Sequence, residues 1–220
     1  FMATGTSGQV LGLTDITTTA LDVSLVATVS AAISGANGVA VVNTAAVGSS
    51  DMPLHGLFVA GQRCITYIDL LRGGAQHTVA GVCGAAAGYS DGVGPVVRFG
   101  RIEQMALHGY ASATVAQPPA LLFADRDLNC YRRADVVWSG SAATMLLNVT
   151  ANGAAVCAMG DETQGNVAGN ALTGQAKVTL PKSVALTRGL STMFVASETR
   201  TGIGKVLPMG SRDGRQLATL

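Results

Sequence analysis

Charge is what this chain has least of. Only 12% of its 220 residues are Asp, Glu, Lys or Arg, against about 25% in a typical soluble domain. The first 60 residues hold no lysine or arginine, and the whole chain has only Lys177, Lys182 and Lys205 as lysines. Net charge is +1. Nucleic acid and anionic membrane surfaces are held by a field of one sign, so neither is expected as a direct partner. The basic arm with which many subunits neutralise packaged RNA is absent as well. Aromatics make up 5% of the chain, too few to pave a broad stacking surface. No run of about 18 apolar residues exists, so no helical membrane span is expected. The best stretch, Leu21 to Ile33, is broken by Asp22, Ser24, Thr28 and Ser30. No secretory signal is visible, and the opening Phe1-Met2 leads us to expect that something upstream was removed or left out.

What is present is Ala, Val, Leu and 28 glycines. A weakly charged, nearly neutral surface favours association. Period-2 alternation dominates. Leu21, Val23, Leu25, Ala27 and Val29 share one face of a run whose other face is mostly polar, which is the pattern of a half-buried strand. Asn37-Gly38 follows, then Val39 to Val42, and Asn-Gly between apolar runs predicts a type I′ hairpin. Further strands are expected at 57–59, 63–71, 77–82, 96–103, 105–116, 121–123, 133–138, 145–151, 154–159, 176–180, 184–187 and 192–197. Pro118-Pro119 ends the 105–116 run, because proline cannot donate to a ladder. Only 65–71 and 101–107 also read as helical turns. The expected fold is therefore all-β, an antiparallel β-sandwich or jelly-roll-like domain, hairpin-rich with Asn-Gly turns. A single domain over 1–220 is expected, with 1–20 and 208–220 as extended arms that contact neighbours.

Thr144 to Gly160 reads as a hairpin turning at Asn152-Gly153. One face carries Leu147, Val149, Ala151, Ala154, Val156 and Ala158 and belongs to a core. The other carries Leu146, Asn148, Thr150, Ala155, Cys157 and Met159, half apolar where a solvated face would be richer in charge. Either another segment of the chain or a neighbouring subunit is expected to cover it. Leu146, Thr150, Ala155 and Met159, with Leu21, Val23 and Leu25, are the candidate interface residues.

Four cysteines, Cys64, Cys83, Cys130 and Cys157, leave two readings open: buried thiols acting as small hydrophobes, or two bridges of an oxidising compartment. If bridged, sequence order favours Cys64–Cys83 and Cys130–Cys157. Gly81-Val82-Cys83-Gly84 resembles the G-x-C-G around the nucleophile of chymotrypsin-like viral cysteine proteases. That resemblance implies a thiolate with a histidine base and oxyanion amides. It covers four residues, and His55 and His77 stand too close in sequence to come from a separate upstream barrel. Asp125, Asp127 and Asn129 match the D-x-D-x-N start of a calcium loop, but Cys130 stands where glycine belongs and Val136 where the final acid belongs. An acidic β-turn is the expectation there. Gly202-Ile203-Gly204-Lys205 lacks the spacing of a phosphate loop. Asn148-Val149-Thr150 is a glycosylation sequon set within an expected strand. No cofactor, metal site or catalytic residue is expected, and the chain is not read as an enzyme.

These features point to a structural subunit of a self-assembling particle. A virion protein (capsid, decoration or tail) comes first, with copies of itself and other structural proteins of the particle as partners, located in a virion or outside the cell. The alternative is a secreted pilus or surface-filament subunit that exchanges the strand around Leu21 to Val29. A reading of another class is a secreted glycan-binding module using Tyr89, Asp91, Tyr110 and Trp138.

Overall fold

Alternating apolar residues punctuated by glycine favour extended chain over helix. The computed structural model describes residues 2–4, 9–16, 21–28, 35–43, 55–108, 120–137, 145–149, 179–186 and 193–197. Within them the fold is all-β and antiparallel, as expected, with two 3-10 turns as its helical elements. Strands β1 (Met2–Thr4), β2 (Gln9–Ile16) and β3 (Leu21–Thr28) form one meander. β4 (Gly38–Asn43), β5 (His55–Ala60), β6 (Cys64–Asp69) and β7 (Ala75–Gly81) form a second. β8 (Gly92–Val93), β9 (Ile102–His108), β10 (Ala120–Asp125), β11 (Cys130–Val137) and β12 (Leu146–Val149) form a five-stranded sheet in the order β8-β12-β11-β10-β9. β13 (Pro181–Leu186) and β14 (Met193–Ser197) make a separate hairpin.

The four- and five-stranded sheets share one core. Ala40, Phe58, Ile65, Tyr67 and Val79 from the first meet Met105, Leu121, Phe123, Ala134, Val136 and Leu147 from the second. Parity decides which residues enter: on β5, Phe58 and Ala60 enter this core, while Leu57 and Val59 pack with Ala36, Cys64 and Ile68 in a second cluster on the other face. All six residues of β10 are buried: the shared core takes one side, and β13 packs against the strand as well.

Several expectations change. The segments 65–71 and 101–107, expected within strands but also arguable as helical turns, are mainly β6 and β9; Leu70–Arg72 turns, capped by the Asp69 carboxylate on the Leu71 N–H at 3.0 Å. The expected strand 96–103 begins only at Ile102, since Gly94–Val96 forms a 3-10 turn that opens on Gly94 at φ 61°. Residues 1–20, expected as an arm, supply β1 and β2, whose ladder partners lie in the same chain. The arm 208–220 and the Asn152-Gly153 turn lie outside the described residues.

Asn37-Gly38 is not a hairpin turn. β3 pairs with β2 and β4 with β5, and neither Asn37 nor Gly38 has positive φ. The pair instead marks a close crossing of sheets. The Asn37 side chain donates to Ile102 O at 3.1 Å, its N–H donates to Ala60 O at 3.0 Å, and a methyl at Gly38 would press on Glu103 O. Glycine is there for space, not for φ. Gly38→Ala is accordingly expected to destabilise the chain by about 1–3 kcal/mol, as overpacking against backbone does, measured by urea unfolding. An unchanged midpoint would place the two sheets farther apart than described.

Candidate functional site

On β11 the alternation of Cys130 to Val137 puts Arg132 on the same face as Ala134 and Val136, pointing into the core. It is 1% exposed. A guanidinium taken out of water costs several kcal/mol unless its donors are met. Here Nη1 donates to Arg98 O at 2.8 Å and to Asp125 Oδ2 at 3.2 Å. Nη2 donates to Asp91 Oδ1 at 2.8 Å and to Ser90 O at 3.1 Å. The guanidinium carbon sits 5.0 Å from the Phe99 ring centre and 5.5 Å from that of Tyr89, within cation–π range. One side chain thereby collects the whole run from Tyr89 to Phe99 around itself.

Asp125, at the end of β10, is its buried counter-ion. Oδ2 also accepts the Gly100 N–H at 3.2 Å. Burial pushes this carboxyl up from its ordinary 3.8 to about 6, against the pull of Arg132 and the Gly100 N–H. A second arginine, Arg63 in the β5–β6 turn, donates to Gly100 O and to Asp127 Oδ2, the latter at 3.1 Å. The Arg126 N–H donates to Arg101 O at 2.8 Å and the Ile102 N–H to Gln62 O at 3.3 Å. The turns β5–β6 and β10–β11 and the approach to β9 are knotted at this point.

The candidate residues sort as follows. Cys83 is bonded to Cys64, with Cα atoms 5.0 Å apart. It is therefore no nucleophile, and the four-residue protease resemblance carries no chemistry. His77 packs edge-on to Tyr67 at 5.6 Å, and burial holds it below its ordinary 6.5 while Asp69 pulls the other way. Cys130 is disulfide-bonded; Cys157 lies outside the described residues. Asp125, Asp127 and Asn129 form the β10–β11 turn region but do not converge on a cation. Asp125 faces Arg132, Asp127 faces Arg63, and Asn129 Oδ1 accepts the Leu180 N–H at 3.0 Å. Among the described residues no group of three or more His, Cys, Asp or Glu is placed to hold a metal, and no helix is long and apolar enough to cross a membrane.

Of the interface candidates, Leu146 lies half-buried on β12, paired with Val137 and packed beside Gly94. The outer face at this edge also carries Val93, and Val96 stands nearby, 60% exposed. Thr150, Ala155 and Met159 lie outside the described residues, as do the side chains of Leu21, Val23 and Leu25 on β3. Tyr89 and Asp91 are drawn to Arg132, whereas Tyr110 and Trp138 lie outside the described residues. Sequence reasoning missed Arg132 itself. Its signal was a charge set on the apolar parity of β11, a position where arginine survives only with partners.

No family model matches the chain, and no curated protein matches it. Among solved structures, the chain is similar to an auxiliary nutrient binding protein from Bacteroides thetaiotaomicron, with TM-score 0.53 and 17% identity. The match covers 98% of this chain and 43% of that one, so this chain spans less than half of that protein's length. At that identity the likeness is one of fold.

Two outcomes are expected at the Arg132 cluster. Arg132→Met leaves Asp125 buried without its partner and lowers unfolding free energy by about 3–5 kcal/mol at pH 7. Asp125, whose folded pKa is raised, contributes stability that is fully present below pH 3.8 and is lost as pH rises through about 6. The gap between wild type and Asp125→Asn is therefore expected to change sign-consistently across that window, wild type gaining on the variant as pH falls. Urea titrations from pH 4 to 7 read both effects, and a pH-independent gap would mean that Asp125 stays ionised throughout.

Proposed function

We propose that this chain is a structural subunit that assembles with copies of itself in an oxidising, extracellular or virion setting, as a capsid, decoration or tail component. The observation that carries this reading is where the charge goes. Each of the seven arginines among the described residues is engaged within its own chain. Arg63, Arg72, Arg101, Arg126, Arg132 and Arg133 pair with acids, and Arg98 donates to Pro95 O and Val97 O. This pairing mutes charge even on arginines that reach solvent, such as Arg72 and Arg101, and beside them valines stand exposed (Val41, Val82, Val93, Val96 and Val137). Such a surface favours association over solvation. The Cys64–Cys83 bridge suits a compartment outside the reducing cytosol. A pilus or surface-filament subunit fits the same features.

A second reading, a secreted binding module for glycans or other nutrients, is favoured by the fold likeness to the nutrient binding protein. Such a module works as a monomer or as part of a longer chain. Light scattering with negative-stain imaging, with and without reductant, separates the two. Shells, rings or filaments support the structural subunit, and their shape distinguishes particle from filament. A monomer in both conditions overturns it and moves the binding module to first place.

A further inference from the structure

The β13–β14 hairpin is joined to neither large sheet by a ladder among the described residues. Its strand β13 packs against β9 and β10. Ala120, Leu122 and Ala124 of β10, on the face away from the shared core, are none more than 8% exposed. Two side chains contribute to the hairpin's polar attachment. The Tyr131 hydroxyl is 2.6 Å from Ala196 O on β14 and 3.2 Å from Ser183 O on β13. Asn129 Oδ1 accepts the Leu180 N–H where the hairpin begins. Val184, 3% exposed, supplies apolar contact.

Releasing this hairpin breaks no sheet. A two-stranded hairpin is at best marginal alone, and the strip it uncovers is apolar, so a released hairpin redocks. Leu180 eases the release. It sits at φ 45°, where a branched side chain is strained, and it precedes Pro181, whose ring pushes its predecessor toward extended backbone. Strained hinges of this kind favour exchange between copies. Residues 150–178 separate β12 from Thr179 in the sequence. An identical face on a second copy offers identical contacts, and a net charge of +1 sets up little repulsion.

We propose that the β13–β14 hairpin is exchangeable, docking in the assembled state on the β9–β10–β11 face of a second copy through the Tyr131 and Asn129 contacts. The inference rests on the self-assembly reading and is tested apart from it. Tyr131→Asp spoils the acceptor face and Val184→Asp spoils the hairpin. Each variant alone is expected to be monomeric by light scattering at concentrations where wild type assembles. Mixed in equal amounts, with one carrying a mass tag, they are expected to recover two-chain species holding one copy of each, because an intact hairpin then meets an intact face. Should wild type assemble and both variants assemble equally well alone, exchange is overturned while self-assembly stands. A monomeric wild type overturns both. Should either aspartate unfold the chain, cysteines at Asn129 and Leu180, placed across the docking seam, answer the same question. Under oxidation a doubled mass on a non-reducing gel supports exchange, and a bridge closed only at single-chain mass overturns it.

Discussion

A buried guanidinium is the constraint on which most of this architecture rests. Arg132 enters the core from β11, at a cost that its terminal nitrogens must offset. Nη1 and Nη2 take the carbonyls of Ser90 and Arg98 and the carboxylates of Asp91 and Asp125, while Nε has no hydrogen-bond partner among the described residues. Ser90, Asp91 and Arg98 come from the glycine-rich run between β7 and β9, and Asp125 from the end of β10. The run is held both by these charge contacts and by Val97 and Phe99, which enter the shared core. Its placement sets β8 beside β12 and completes the edge of the five-stranded sheet. Asp125 then transmits the constraint to Gly100, and Arg63 reaches the same glycine from the other sheet.

Period-2 geometry makes β11 a strand with two jobs. Arg132 points inward and fixes the loop, while its neighbour Tyr131 points outward and fixes the β13–β14 hairpin. Tyr131 is fully buried, and burial raises its pKa while its hydroxyl is spent on hairpin carbonyls. A buried tyrosine needs such an acceptor. The hairpin supplies one without joining the sheet, so two layers become three around a single strand.

The strand content was legible because alternation is local. The 121–123, 133–138, 145–151, 184–187 and 192–197 runs all fall on observed strands, with ends displaced by a few residues. Where the reading left two options or failed, the deciding term was tertiary. Ile65 to Asp69, expected within a strand and also arguable as a helical turn, becomes strand because its neighbours β5 and β7 offer a ladder on both sides. Asn37-Gly38 carries the composition of a tight turn, yet that composition also serves a crossing where one backbone presses on another. Of the candidate site, the parity of Arg132 was visible in the sequence, but its four acceptors were not. They are spread over Ser90, Asp91, Arg98 and Asp125, and no spacing rule links them.

The same interaction bears on function through what it withholds. Charged residues are 12% of the chain, and the arginines among the described residues are engaged by its own carbonyls and carboxylates, which mutes what they offer to a polyanion or against a copy of the chain. Arg132 could have been an anion receptor only if its fork opened to solvent, and both ends of the fork are occupied. Among the described residues the outside carries exposed apolar side chains, Val93 beside β12 among them, and a hairpin joined to neither large sheet by a ladder. In the proposed assembly, association would rest on apolar contact and shape, which are nondirectional and short-ranged. Specificity would then have to come from a feature that fits one place only. In the described part of the chain, the hairpin seated over Tyr131 offers such a feature, because its two backbone carbonyls and the Asn129–Leu180 contact define a single register.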